Sequence, residues 1–298
     1  MSTRITQGMM SIQLLRNLNN NMLRMDSLQN QLSTGRRINK PSDDPVGISY
    51  SMRYRSELSS NEQYQSNVDM AVSWLDYTDT TLGQATEVIQ RLRELAVSGA
   101  NGTNSQEALD AIASETSQLY EQMVDIANSD FNGKHVFNGQ LTNIKPFTLA
   151  NAKNESTDTA DILFEIGAGV KIAVNVPGQN VFGAATDTDN MFKIFDDMRT
   201  TLNGGDSAGM NQVISALDSR MDQFLNLRSE IGAKSNRIEL AESRLKDIGL
   251  NLQTLRTKTE DADMSIVITN LKISENVYQA SLSAGSKLIQ PSLLDYLR

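Results

Sequence analysis

Met210, Leu217, Phe224, Ile231, Ile238, Leu245 and Leu252 stand seven residues apart, and all are apolar. Thr259 interrupts this column, then Ile266, Ile273 and Ala280 resume it. A sustained seven-residue apolar period belongs to a helix paired lengthwise with other helices. From 210 to 280 it describes a helix of more than 60 residues. The polar run Thr257 to Asp263, set between two apolar blocks, reads as a joint between two domains along that helix. The N-terminus has a shorter counterpart in Leu15, Leu18, Met22, Met25 and Leu32. The expected fold is mainly α: a long antiparallel, coiled-coil-like bundle built from both chain ends, with a small β-rich domain inserted between them.

Prolines occur at 41, 45, 146, 177 and 291, so residues 46–145 and 178–290 are open to long helices. Val68, Val72, Leu75, Leu82, Ala85, Ile89, Leu92 and Ala96 keep helical spacing up to Ser98-Gly99. A turn at 101–104 follows, and Thr103 with Gln106 has the spacing of a capping box. Leu109, Ile112, Thr116, Leu119, Met123 and Ile126 predict a second helix ending near Asn128. Asn132-Gly133 and Asn138-Gly139 are turn dipeptides. Phe164 and Ile166, then Val170, Ile172, Val174 and Val176, alternate as strands around Gly167-Ala168-Gly169. Helical spacing returns from Met191 to Leu202 and, after Asn203-Gly204-Gly205, from about Ser207.

Only 5% of the 298 residues are aromatic and the mean hydropathy is −0.36, which suits thin helical seams better than a deep core. The net charge of −9 is uneven: residues 61–230 hold 10 basic and 24 acidic groups. That acidic middle argues against nucleic acid, whose binding needs clustered Lys and Arg. With no cysteine, disulfides, thiolate metal sites and cysteine nucleophiles are excluded. No apolar run of membrane length and no secretory leader is seen, so an exported chain of this kind would use another route.

The inventory of catalytic groups is short. His135 is the single histidine, and beside Asn132-Gly133 it reads as a strand or turn residue. Gly167-x-Gly169 lacks the third glycine of a dinucleotide loop, and Asp187-x-Asp189 lacks the later ligands of a calcium loop. The pairs Asp43-Asp44 and Asp196-Asp197 read as helix-start carboxylates that cap backbone N–H groups. Trp74 reads as a core anchor. The glycosylation sequons at Asn101 and Asn154 are discounted without a leader. No cofactor or metal is expected, and no enzyme.

Leu32 to Gly47 reads LSTGRRINKPSDDPVG. This resembles the N-terminal signature of the flagellin superfamily, with Gly35, Arg36, Arg37, Ile38, Asn39, Asp43 and Asp44 matching residue by residue. Glu260-Asp261-Ala262-Asp263-Met264, with Asp261 and Asp263, resembles the C-terminal element, and Ser129 to Gly133 the turn before the family's variable region. Pro45-Val46-Gly47 and the ending Pro291 to Arg298 resemble the branch that joins hook to filament more than the filament subunits. The resemblance implies a structural adaptor of the bacterial flagellum, exported through the type III apparatus and secreted without a cleaved leader. Its implied partners are other copies of itself in a ring, the adjacent hook-associated protein, flagellin and a cytosolic export chaperone. It implies an inner tube domain from 1–40 with 262–298, a helical domain from 41–131 with 187–261, and an outer domain at 132–186.

The assembly interface is expected at Leu15, Leu18, Met22, Met25, Leu32, Ile266, Ile273, Val277, Leu288, Leu293, Leu294 and Leu297. Three other readings stand beside it. One is a filament-forming flagellin. Another is a cytoplasmic coiled-coil signalling hairpin, disfavoured by the β insertion and the lack of a membrane anchor. The last is an enzyme whose site, in 132–186, draws on His135, Glu155, Asp158, Asp161 and Glu165.

Overall fold

The computed structural model describes residues 7–102 and 104–289. Among them the chain forms α1 (Gln7–Thr34), α2 (Pro45–Gly99), α3 (Gln106–Ala127), β1 (Asp130–Phe131), β2 (Lys134–His135), β3 (Leu163–Gly167), β4 (Val170–Ala173), α4 (Gly178–Phe182), α5 (Met191–Gly204), α6 (Ser207–Glu260) and α7 (Met264–Ile289). The fold is mainly α with a small β region, as the periodicities predict. Two compact units result, one of residues 61–247 and one of the flanking segments up to 60 and from 248 onward.

In the larger unit the seven-residue column does what its spacing requires. Met210, Leu217, Phe224, Ile231, Ile238 and Leu245 are each 5% exposed or less. Val68, Leu75, Leu82, Ile89 and Leu92 of α2 join them in one core. Polar bonds along the flanks show that α2 and α6 run antiparallel. Asn61 donates to the Leu245 carbonyl (3.1 Å), while Arg228 pairs with Asp79 and Arg93 with Asp218. Ion pairs this exposed add little stability, so the apolar column carries the pairing.

The long C-terminal helix stops sooner than its period suggested. α6 spans 54 residues, and 261–263 leave helical geometry before α7 starts. The break falls within the polar run expected to be a joint. The start of α3 differs from the sequence reading. Ser105, in extended backbone one residue before the helix, accepts from the Ala108 N–H, and Gln106 donates to Asp110; Thr103 of the expected capping box lies outside the described residues. Asp196 and Asp197 also depart from expectation. Asn190 caps α5, and Asp196 sits inside that helix, paired with Lys153 at 2.7 Å.

The inserted segment is held by side chains more than by strands. β1 and β2 turn around Asn132-Gly133 with φ of +53° and +75°, and β3 pairs antiparallel with β4. Val174 and Val176 were expected to prolong the second strand. They lie beyond it, both buried, and Val174 N–H bonds the Ile162 carbonyl. Phe137, Phe147, Phe182, Phe192 and Phe224 make a chain of ring contacts. Beside them, buried Arg220 donates to the Val181 and Asp189 carbonyls and pairs with the Asp189 carboxylate at 2.7 Å. Trp74 is buried edge-on to Phe131, 6.0 Å between ring centres.

His135 lies in β2, its Nδ1 2.8 Å from the Asn128 carbonyl oxygen. Three of the insertion's four carboxylates serve its turns, and Asp161 accepts from Gln140 through its backbone carbonyl. Glu155 accepts from the backbone and hydroxyl of Thr148, Asp158 from the Gln140 and Ala160 N–H groups, and Glu165 from Gly169 N–H. No described helix is long and apolar enough to cross a membrane.

Replacing Phe224 with Ala should cost about 3–5 kcal/mol, the usual penalty for emptying a packed aromatic site. Leu240→Ala, at a position 75% exposed, should stay within about 0.5 kcal/mol of the parent. Denaturant unfolding of the two variants gives the comparison.

Candidate assembly interface

α1 and α7 pair antiparallel. Arg36 bridges to Asp261 at one end, Asn21 donates to the Ser274 carbonyl (2.9 Å) midway, and Leu14 lies against Gly285 toward the other end. Leu14, Leu18, Asn21, Met25, Leu28 and Leu32 turn one stripe of α1 inward, each half-buried. They meet Val267, Leu271, Ser274, Tyr278, Ser281 and Gly285 of α7. A Cβ at Gly285 would stand 2.6 Å from Leu14 Cδ2, so glycine permits this close approach.

Three of the residues expected at the assembly interface, Leu18, Met25 and Leu32, therefore lie on the intrachain seam. Leu15, Met22, Ile266, Ile273 and Val277 lie outside it, each between 48% and 64% exposed. The side chain of Leu288, and Leu293, Leu294 and Leu297, fall outside the described residues. The column Ile266, Ile273, Ala280 does not continue the buried face of α6, because three non-helical residues reset the helical phase. Val267 and Leu271 take the inward positions. The sequence reading missed these two together with Leu14 and Leu28. Their signal was present in the alternate 3-and-4 spacing 14, 18, 21, 25, 28, 32.

α7 is therefore apolar on two faces. It turns Val267, Leu271 and Tyr278, with Ser274, Ser281 and Gly285, toward α1, and leaves Ile266, Ile268, Ile273, Val277 and Leu282 exposed. Its open face carries more aliphatic side chains than its paired one, and a continuous exposed apolar stripe of this kind is characteristic of interaction surfaces.

The signature residues tie the base of this pair into a knot. Gly35 ends α1 with φ +71°, the left-handed geometry of a helix stop, and its N–H bonds the Gln31 carbonyl. Asp43 accepts from the Asn39 and Lys40 N–H groups, and Asn39 donates back to the Arg36 carbonyl. Asp44 caps α2 through the Gly47 N–H, and Asp263 caps α7 through the Ser265 and Ile266 N–H groups. Ile38 is buried beneath the loop. At the centre lies Glu260, the last residue of α6, 1% exposed. Arg36 reaches its Oε1 at 2.6 Å; Arg55 binds both carboxylate oxygens, and Ser51 donates to Oε2 at 2.6 Å. Arg37 N–H bonds the Glu260 carbonyl, and its guanidinium bonds the Thr259 carbonyl and Asp44.

Burial alone would raise the Glu260 carboxyl. The bonds from Arg55 and Ser51, with the charges of Arg55 and Arg36, outweigh it and hold the group below its ordinary 4.5. Backbone N–H groups of Lys40 and Asn39 lower Asp43, and that of Gly47, helped by Arg37, lowers Asp44. A carboxyl depressed in the folded state contributes its stability in full above the unfolded value and loses it as pH falls through the folded one. The knot should therefore loosen below pH 4.5. Glu260→Gln should cost roughly 1–3 kcal/mol at neutral pH, because the amide removes the negative charge and turns one of the two accepting oxygens into a donor facing donors. It should also flatten the acid dependence, read by hydrogen exchange in α1 and α7.

Two family models match the chain. That for the bacterial flagellin N-terminal helical region covers residues 5–142, and that for the C-terminal helical region covers 214–297. A flagellar filament 30.7 kDa core protein of Treponema maltophilum is 30% identical, over 85% of this chain and 84% of its own. Flagellar hook-associated protein 3 of Escherichia coli K12 is 25% identical, over 94% and 95%. In fold the chain is similar to a flagellar hook-associated protein of Vibrio parahaemolyticus, with TM-score 0.67, 20% identity, and cover of 74% of this chain and 100% of that one. The flagellar junction protein FlgL of Legionella pneumophila gives TM-score 0.58 at 17% identity, over 71% and 100%. Both helical regions that define the family are thus present, in order, at the two ends that the knot brings together: the chain belongs to the bacterial flagellin family.

Proposed function

We propose that this chain is the structural adaptor between flagellar hook and filament, assembling as a ring of identical subunits through its terminal helices. The observation that carries the reading is the second apolar face of α7, which leaves Ile266, Ile268, Ile273, Val277 and Leu282 exposed. Burying a side chain of this size is worth about 1.5–3 kcal/mol. With Leu15 and Met22 on the open face of α1, both helices offer apolar columns that neighbouring subunits cover on assembly. The α1·α7 pair, thinly packed within one chain, tightens when those columns are buried. The mechanism is packing, with no catalysis. One end of the ring meets a hook-associated protein and the other receives flagellin, and residues 132–186 make the outer face. Before export, a cytosolic chaperone covers α7, since an open apolar helix is an aggregation hazard. The finished protein is extracellular.

Ile273→Asp places a charge at the centre of the open column. It should abolish incorporation while leaving the cooperative unfolding of the larger unit unchanged; normal junctions on this variant would remove the seam from the mechanism. The filament reading separates by electron microscopy of the purified chain. A junction subunit adds to isolated hooks and stops as a short collar, whereas a flagellin grows long fibres from seeds.

A further inference from the structure

The chain has no cysteine, so its oxidisable sulfur lies in 13 methionines. Among the described residues they range from fully buried to exposed. Met123, Met191, Met198 and Met210 are buried to 1% exposure or less, and Met198 and Met210 have the Thr116 and Thr201 hydroxyls packed at 4.0 Å from sulfur. Met52 and Met70 of α2 are 64% and 49% exposed and Met264 at the start of α7 39%, while Met9, Met10 and Met22, at 58%, 41% and 52%, all lie on the 28-residue α1. There they make up half of the exposed large apolar side chains, the others being Ile12, Leu15 and Leu23. Met22 stands seven residues from Leu15 in the same open column.

We propose that Met9, Met10 and Met22 form an oxidation site that switches the assembly face off; the inference rests on the proposed function. The oxidant class is a peroxide. The thioether sulfur attacks one peroxide oxygen, the O–O bond breaks, and an S–O bond forms. Sulfur is oxidised by two electrons to the sulfoxide, and hydrogen peroxide is reduced to water. An unbranched apolar side chain becomes a polar, chiral one. In the free subunit the new S–O group is hydrated. In an assembled column it would lie between aliphatic side chains with nothing to donate a hydrogen bond, and burying it unpaired opposes docking. The buried methionines of the larger unit are shielded, so that unit keeps its fold while the terminal face loses its apolar continuity. Reduction by methionine sulfoxide reductases reverses the change.

The test treats the full chain with hydrogen peroxide, maps sulfoxides by peptide mass spectrometry, and measures incorporation onto isolated hooks. Each variant is normalised to its own untreated sample. Sulfoxide should appear at Met9, Met10 and Met22 well before Met123, Met191, Met198 or Met210. Incorporation should fall by about tenfold or more, the effect expected of a buried unpaired polar group. Reductase treatment should restore it. A chain carrying Met9→Leu, Met10→Leu and Met22→Leu should be insensitive to peroxide, whereas Met52→Leu with Met70→Leu should remain as sensitive as the parent. Incorporation unchanged after the three sulfurs are oxidised overturns the proposal and leaves the functional reading standing. Equal sensitivity of the triple variant also overturns it. An untreated chain that fails to join hooks overturns the functional reading, and this proposal with it.

Discussion

Apolar side chains that recur every seventh residue can leave water along their whole length only if a second helix lies against them over that length. This constraint shapes the larger unit. The column on α6 from Met210 to Leu245 is matched by α2, and the insertion is held where Phe224 and Arg220 project from the same helix. Seams of this kind are narrow. They fix direction and register well, but they do not provide the bulk of apolar contact found in a globular core. Polar devices then do the work at the ends. Glu260 lies where the helix stops, and three donors from two other segments close on its carboxylate.

A buried carboxylate of this type is a poor source of net stability, since desolvation consumes much of what its partners return. What it provides is definition. Isolating Glu260 from any of its donors would be costly, so loop 35–44, the start of α2 and the end of α6 are held to one arrangement. The signature motif is thus legible as physics. Gly35 stops one helix, Asp44 and Asp263 start two others, and Arg36 and Arg37 close the joint between them.

The periodic parts of the fold were readable from the sequence because burial writes itself as spacing. The buried column on α6, the second half of α2, the end of α3 and the extent of α5 all carry that record. Three non-helical residues were enough to defeat the same reasoning beyond Thr259. A column counted in sevens assumes unbroken helical phase, and residues 261–263 rotate it, exchanging Ile266 and Ile273 for Val267 and Leu271. The seam between α1 and α7 was half legible for a related reason. The apolar stripes on α1 and α7 are wide enough to hold two seams, and spacing alone does not say which one the chain closes upon itself. The cap of α3 was missed on a smaller scale: Ser105 takes that position, in extended backbone, and spacing did not single it out.

The placement of Trp74 has a spectroscopic consequence. It is the chain's single tryptophan and sits in the larger unit, its ring edge-on to Phe131 of the β1–β2 hairpin. Indole emission is therefore a private signal of that unit, while backbone dichroism sums over every helix. Recorded together through one thermal or acid transition, the two would resolve the terminal helices from the rest without any label being introduced.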